Sequence, residues 1–406
     1  MNAPDPLDTG AFGGANRPMD LHSRYMTIKD LRDAARLRVP HFAWAYLDTA
    51  TGTEATLRRN RRALDAVLFE PSILHGEVAP NLTTTLLGRD YALPFGVAPV
   101  GQSGLLWPGA ETLLAKGATK AALPYTLSTV ANATPEEVGP HLNGHGWFQL
   151  YPPRDVDMRR DMLARARDSG FDTLVLTVDV PVASRREAQV KGGLVQPPRL
   201  TPRILAQCVQ RPTWSIARAR AGMPRMKTLD KYTQETVTRD PTAHVGYLLR
   251  TAPDWDYLQW IRDAWDGKLI VKGVMRASDA PRLEAAGVDA IWVSNHAGRQ
   301  FDAAPAAIEA LAPIRAATTL PLIFDSGIES GLDILRAIAL GADFVMMGRA
   351  WHYAVCALGA RGPAHLTELL RRDIIANIGQ LGVAHPRALR GKQIVETAFM
   401  GLKRDG

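Results

Sequence analysis

Residues 320–349 read LPLIFDSGIESGLDILRAIALGADFVMMGR. Two short apolar runs, 320–325 and 343–348, flank a helical pattern at 330–340, and a Gly-rich turn, DSGIESG (325–331), leads from the first run into it. The runs are continuous rather than alternating, as strands buried on both faces require. A strand–helix–strand unit of this length gives two parallel neighbours with a crossover helix.

The same rhythm extends back through the chain. Apolar runs at 93–99 (LPFGVAP), 124–128 (PYTLS), 147–151 (WFQLY), 173–179 (TLVLTVD), 268–272 (KLIVK) and 289–294 (DAIWVS) complete a set of eight. Helical patterns fall near 109–121, 134–141, 155–169, 254–265, 278–286 and 305–316. Eightfold strand–helix alternation predicts an α/β fold, a (β/α)8 TIM barrel. Ahead of it, the capping-type start Thr27-x-x-Asp30 opens a helical stretch to about Leu47, which Pro40 divides into two N-terminal helices. Residues 1–24, rich in Gly, Pro, Asn and Asp, read as a flexible tail, and 25–406 as one domain.

One connection is too long for the pattern. After the fourth strand, residues 180–253 show no clear strand, and the inserted loop region at 184–245 is basic. It holds Arg199, Arg203, Arg211, Arg218, Arg220, Arg225, Lys227 and Lys231 together with Trp214, Ile216, Met223 and Met226. Two readings follow: a cover over the barrel mouth, or a basic and partly apolar patch that docks on an anionic membrane surface.

Composition bounds the rest. Hydrophobic residues make up 46% and charged residues 22%, ordinary globular values that exclude disorder, collagen and a coiled-coil rod for the whole chain. Lys+Arg 48 against Asp+Glu 41 leaves +7, and with no nucleic-acid motif in view no nucleic-acid partner is expected. Cys208 and Cys356 stand alone, so neither a disulfide framework nor a metal cluster is expected, and a reducing, cytoplasmic setting fits. The N-terminus has no signal-peptide pattern, and no run is long enough for a membrane span.

In such a barrel the chemistry sits at the C-terminal ends of the strands. Here those ends carry Pro99-Val100-Gly101, Ser128-Thr129, Gln149 and Tyr151, Thr177 and Asp179, Lys272, Ser294-Asn295-His296, Asp325-Ser326-Gly327 and Gly348-Arg349. A lone polar residue at a strand end is most often a cap; polar or Gly-rich groups at every end point to a site. His296 and Arg299 lie three apart, offering a base near neutral pH and a fork for a carboxylate, and Asp179 could orient the imidazole. Lys272 could form a Schiff base or stand as a cation beside an electron-accepting ring. The glycines after strands seven and eight, with Arg349, suit a phosphate. No GxGxxG follows an early strand, which disfavours a nicotinamide domain.

These residues resemble the FMN-dependent L-2-hydroxy acid oxidases and dehydrogenases, a family that includes glycolate oxidase, mandelate dehydrogenase and bacterial L-lactate dehydrogenase. The likeness spans roughly 26–400 and rests on LSTV (127–130), WFQLY (147–151), LTVDVP (176–181), VKGV (271–274), SNHAGRQFD (294–302) and DSGI (325–328), with VQPPRLTPRI (195–204) echoing the lactate dehydrogenase type. It implies FMN at the barrel mouth and oxidation of a lactate-like L-2-hydroxy acid to the 2-keto acid, with electrons passing on to a quinone or cytochrome. It further implies a homotetramer; the basic 184–245 segment, on its membrane reading, would place the protein peripherally on the inner face of the cell membrane. His296 would be the base and Asp179 its partner; Arg186 and Arg299 would hold the substrate carboxylate, with the Tyr46 and Tyr151 hydroxyls near the reacting carbon. Lys272 would lie beside the flavin ring. Pro99, Val100, Gly101, Ser128, Gln149, Thr177 and Ser294 would line the flavin, and Asp325, Ser326, Gly327, Gly348 and Arg349 would hold the ribityl chain and phosphate.

The chain departs from the family pattern in places. Ala297-Gly298 replaces two glycines, and Glu329 stands where the phosphate loop usually has Arg. The early loop reads DTATGTEAT (48–56), Val130 replaces the Trp of some oxidases, and Gly101 replaces their Ala, which favours a dehydrogenase. A larger, mandelate-type substrate or an oxidase is the near alternative; an FMN barrel isomerase or a non-catalytic ligand binder is the alternative of another class.

Overall fold

A computed structural model describes residues 20–194, 201–233, 249 and 251–395. Eight parallel strands close into a barrel: β1 (Phe95–Val97), β2 (Tyr125–Ser128), β3 (Gly146–Leu150), β4 (Thr173–Thr177), β5 (Lys268–Val274), β6 (Ala290–Val293), β7 (Leu322–Phe324) and β8 (Phe344–Met347). Closure comes from β8 pairing with β1, with Met346 opposite Gly96. Each strand lies within its apolar run or overshoots it by no more than two residues, so the (β/α)8 expectation holds.

The strand residues are buried on both faces apart from Lys268 and Gly273. Outward-facing side chains pack under the helices; inward-facing ones fill the barrel, where the Trp147 and Trp292 rings meet edge to face with centroids 6.3 Å apart. The far end of the barrel is plugged by the hairpin Thr84–Leu86/Arg89–Tyr91, which sends Leu86 and Tyr91 into that inner core. The site therefore has one open end to occupy.

The N-terminal helices form as read. Thr27 and Asp30 make a reciprocal capping box on Ile28–Arg38, and Pro40 caps His41–Asp48. The tail expected at 1–24 lies outside the described residues except for its end, where Leu21–Arg24 makes a helical turn and the His22 ring stacks on His365 at 4.6 Å. The described part of the insertion is more ordered than a loop: it contains helices Glu187–Gly192, Pro202–Val209 and Pro212–Ala221 and no strand. Trp214 is buried, with its indole N–H donated to the Leu106 carbonyl at 3.0 Å, so it anchors the insertion to the barrel rather than forming a surface patch. Residues 195–200 and 234–248, with much of the echoed VQPPRLTPRI motif, lie outside the described residues.

Candidate active site

The strand C-termini open into a cavity of about 820 Å³, within the usual range for small-molecule sites. Tyr46, Pro99, Val100, Gly101, Tyr151, Arg186, Lys272, His296, Arg299, Asp325, Ser326, Gly327, Gly348 and Arg349 all line it. The sequence scatters these residues over 300 positions; barrel closure collects them.

His296 leaves β6 on a turn in which three consecutive residues have positive φ: His296 at 55°, Ala297 at 53° and Gly298 at 72°. Such backbone costs energy for residues with a Cβ, and several fixed contacts hold it. The Ser294 hydroxyl oxygen accepts the His296 N–H and the Ser326 hydroxyl oxygen accepts the Ala297 N–H, each at 3.1 Å. Beneath them Asn60 and Asn295 exchange amide hydrogen bonds of 2.9 and 2.7 Å in a buried pair. The ring then presents Nδ1 to both Asp179 carboxylate oxygens, each 3.1 Å away. Burial holds the imidazole pKa below its ordinary value despite the opposing pull of Asp179, while Lys272 and Arg186 lower it further. Burial works against the Asp179 carboxylate, but the imidazole and Lys272 outweigh it and keep that group below the usual carboxylate range. The result is an ionised aspartate on a neutral imidazole whose other nitrogen is available as a base.

Two cations share this chamber. Arg299 is pushed down to about 9 by burial and by Arg186, and stays cationic at neutral pH. Its Nη1 donates to the Tyr46 carbonyl at 2.8 Å and to those of Leu47 and Thr49 at 3.2 Å, spanning the C-terminal end of helix His41–Asp48. Arg186 enters from the insertion with φ 44°, its Nε donating to Ser184 Oγ at 3.1 Å. The Tyr46 hydroxyl donates to the Gly101 carbonyl at 2.8 Å. Burial, then Asp179, push the Tyr151 hydroxyl pKa upward, which keeps it protonated.

Below the cavity lies a hydrogen-bonded floor. Ser128 Oγ donates to Gln149 Oε1 at 2.9 Å, and Gln149 Nε2 donates to Thr177 Oγ1 at 3.0 Å. Lys272 Nζ, almost fully buried, donates to Ser294 Oγ at 2.7 Å, pairs with Asp325 at 2.9 Å and sits 5.0 Å over the Trp292 ring. Ser128, Gln149 and Thr177 are thus buried and bonded to one another, and buried Ser294 fixes both Lys272 and the His296 backbone. Asp179 stands behind His296 rather than on the wall.

Arg349 donates through Nε to the Leu47 carbonyl at 3.1 Å and through Nη2 to that of Thr49 at 3.0 Å, two of the carbonyls that also accept from Arg299. Arg32 grips Asp48, and Arg61 grips Asp333 at 2.7 Å. Glu329 also lines the cavity; burial raises its pKa, with Arg61 and Arg32 opposing.

The residues fit FMN. Gly348 brings bare backbone against Val100, where a Cβ would fall 2.9 Å from Val100 Cγ2. Lys272 and Arg349 both line the cavity and supply the positive charge that a reduced ring and a phosphate would need. Lys272 is held among Ser294, Asp325 and Trp292, which suits a fixed cation better than a Schiff base.

Sequence reasoning missed several of these parts. Asn60 and Arg61 sit on helix Ala55–Asp65, a run that reads as charged surface. Glu187 and Asp302 hold the 49–56 loop from two sides, accepting the N–H of Gly52 at 2.9 Å and that of Thr53 at 2.7 Å. That loop is therefore fixed beside Tyr46 despite its unusual sequence. A second cavity, of about 410 Å³, lies against the plugging hairpin at the opposite barrel end, but its Arg89, Asp172, Arg262, Lys268 and Asp289 are paired with one another.

Comparison with known proteins agrees with this geometry. The FMN-dependent dehydrogenase family profile matches residues 35–396. The chain is 35% identical over 377 residues to an L-lactate dehydrogenase of Acinetobacter baumannii, covering 92% of this chain and 98% of that protein. It is 34% identical over 355 residues to the (S)-mandelate dehydrogenase of Pseudomonas putida, covering 87% and 90%. The crystal structure of a monotopic membrane protein, (S)-mandelate dehydrogenase, superposes with a TM-score of 0.86 at 32% identity, covering 92% of this chain and 100% of that one. The chain belongs to the FMN-dependent dehydrogenase family, as an oxidoreductase of the lactate and mandelate dehydrogenase type acting on 2-hydroxy acids.

Proposed function

We propose that the protein oxidises a lactate-like L-2-hydroxy acid to the 2-keto acid and passes the electrons to a quinone or cytochrome. The observation that carries this reading is His296, backed by Asp179 at 3.1 Å and facing the same chamber as Arg186 and Arg299. Two guanidinium groups bind and orient the substrate carboxylate. His296, with Nδ1 committed to Asp179, takes the substrate proton at Nε2, and Asp179 steadies the imidazolium that forms. Removal of the hydroxyl proton with hydride transfer, or of the carbon-bound proton first, would use the same base. Tyr151 offers its hydroxyl to the substrate oxygen, and Tyr46 does so by turning its O–H away from the Gly101 carbonyl. FMN supplies the two-electron acceptor, and Lys272 stands ready for the negative charge that reduction brings.

A second reading, a larger aryl or branched side chain, is favoured by one feature. Val130, Leu194, Met226 and Leu249 add apolar surface to the cavity lining. Anaerobic bleaching of the visible flavin absorbance across a panel of 2-hydroxy acids separates the two substrates. A protein whose flavin no 2-hydroxy acid reduces would be the isomerase or ligand binder instead.

For the electron acceptor, Gly101 is weaker support than its sequence position suggests. A Cβ there would fall 2.5 Å from Val130 Cγ2, so the glycine also serves packing against that side chain. Peripheral attachment to the inner face of the cell membrane gives better support for a quinone. Leu205, Val209, Ile216 and Met223 are 51%, 79%, 54% and 60% exposed on the insertion, beside exposed Arg203 and Arg220. No described helix is long and apolar enough to cross a membrane. Co-sedimentation with anionic vesicles at low and high salt tests the attachment; failure to bind at low salt removes it. A homotetramer is part of the same proposal, and exposed Ile73 and Leu74 are consistent with subunit contacts; light scattering in detergent checks it.

A further inference from the structure

Ser103 and His352 are buried polar residues that the proposed chemistry does not use, at 2% and 1% exposure. Ser103 Oγ lies 2.7 Å from His352 Nε2 and 2.9 Å from the Val100 carbonyl oxygen. On its other side, His352 Nδ1 is 2.8 Å from the Gly348 carbonyl oxygen. The pair therefore bridges the loop after β1 and the end of β8. Val100 and Gly348 are the two residues that meet in the cavity wall, where a single added methyl would not fit. Any change in the spacing of these loops changes the seat of whatever lies on them.

The hydrogens do not cover the contacts. Burial pushes the His352 pKa down to about 4, so at neutral pH the ring carries one N–H. Ser103 adds one O–H, leaving two hydrogens for three contacts. In one arrangement Nδ1–H donates to Gly348 and Ser103 donates to Nε2. In the other, Nε2–H donates to Ser103, which donates to Val100. Each arrangement ties the pair to one of the two loops. An apolar pair would fill this space without polar groups to satisfy, and an unsatisfied buried group is costly.

We propose that Ser103 and His352 are positioning residues for FMN, a buried relay that sets the spacing between the loop after β1 and the end of β8 and so fixes the cofactor's seat. The proposal rests on the flavin assignment. It is tested on the holoenzyme by diluting it and following the rise of free-flavin fluorescence, together with the visible absorption and circular dichroism of the bound flavin. Ser103→Ala and His352→Leu should each release FMN on the order of tenfold faster, a change of about 1.4 kcal/mol, and shift the bound-flavin spectrum. The double variant should be no worse than either single one, because both break the same relay. His352→Gln keeps an N–H toward Ser103 and should recover most of the loss. Wild-type release rates and spectra in Ser103→Ala would overturn the proposal. So would His352→Gln behaving like His352→Leu, or additive losses in the double variant. Should His352→Leu fail to fold, Ser103→Ala decides alone. A wild-type protein that holds no FMN would refute the flavin assignment itself, an outcome distinct from any of these.

Discussion

Gly273 and Asp179 are so close that no side chain fits between them: a Cβ at 273 would fall 2.5 Å from the Asp179 Cβ. Gly273 sits at the register shift of β5, between Lys272 and Val274, with φ 106°. The same glycine thus bends the strand past Lys272 and admits the aspartate that orients His296. Gly273→Ala should displace Asp179 and lower kcat by about 10²-fold, the scale of a misplacement near 1 Å, with FMN still bound. Steady-state rates and flavin content check this; a kcat within threefold of wild type would show that Asp179 position matters little.

Asp179→Asn tests the pair from the other side. Asp179 raises the His296 pKa, while burial, Lys272 and Arg186 lower it, with a net shift downward. The base form of His296 therefore grows as pH rises through a value below 6.5, and kcat/KM should climb to a plateau before neutrality. In Asp179→Asn the support for the imidazolium is gone, so the acid limb should move lower still and the plateau should drop by about 10²–10⁴-fold. The measurement is kcat/KM from pH 5 to 8 for both proteins. An acid limb centred above 6.5 in the wild type would contradict a desolvated His296. The same depression bears on stability. Below 6.5 the unfolded ring takes up a proton that the folded ring refuses, so this contribution to stability is lost as pH falls toward the folded value.

The barrel was legible because each strand is a short continuous apolar run and each C-terminal end breaks into polar residues. The elements that escaped reading did so for opposite reasons. Helix Arg349–Leu358 is buried from Ala350 to Leu358, so it has no polar face to reveal a helical period. Helix Ala55–Asp65 looks like solvated surface, yet Arg59 reaches the Ala304 carbonyl, Arg61 reaches Asp333, and Asn60 pairs with Asn295. Those partners lie more than 200 residues away, and spacing along the chain carries no trace of them. Ser103 and His352 belong to the same class.

Ala297 occupies a conformation that glycine would adopt more readily, with φ 53° between two other positive-φ residues. Its methyl costs roughly 1 kcal/mol in that region, partly offset by the greater freedom glycine has when unfolded. Ala297→Gly should stabilise the holoenzyme by about 0.5–1 kcal/mol, seen as a Tm rise of about 2 °C. The backbone N–H of 297 can still reach Ser326 Oγ in the variant. A fall in Tm would show that the methyl packs well enough to outweigh its strain.

Glu329 is the charge least suited to its place. It faces the cavity end where Arg349 stands, and the arginines closest to it are already engaged, Arg32 with Asp48 and Arg61 with Asp333 and Asp65. An ionised carboxylate there opposes the FMN phosphate. Burial raises the Glu329 pKa, with Asp333 adding to it and Arg61, Arg32 and Arg349 opposing, so the group gains its proton earlier than an ordinary glutamate as pH falls. Glu329→Gln should therefore slow FMN release from diluted holoenzyme by about tenfold at neutral pH, roughly the effect of removing one partly screened like charge. Wild-type retention should improve as pH falls and Glu329 takes up its proton, while the Gln variant changes less, because only the wild type has this charge to lose. Faster release from Glu329→Gln than from wild type would mean that the carboxylate organises Arg32, Arg61 and Arg349 for the phosphate, and that its charge is tolerated for that reason.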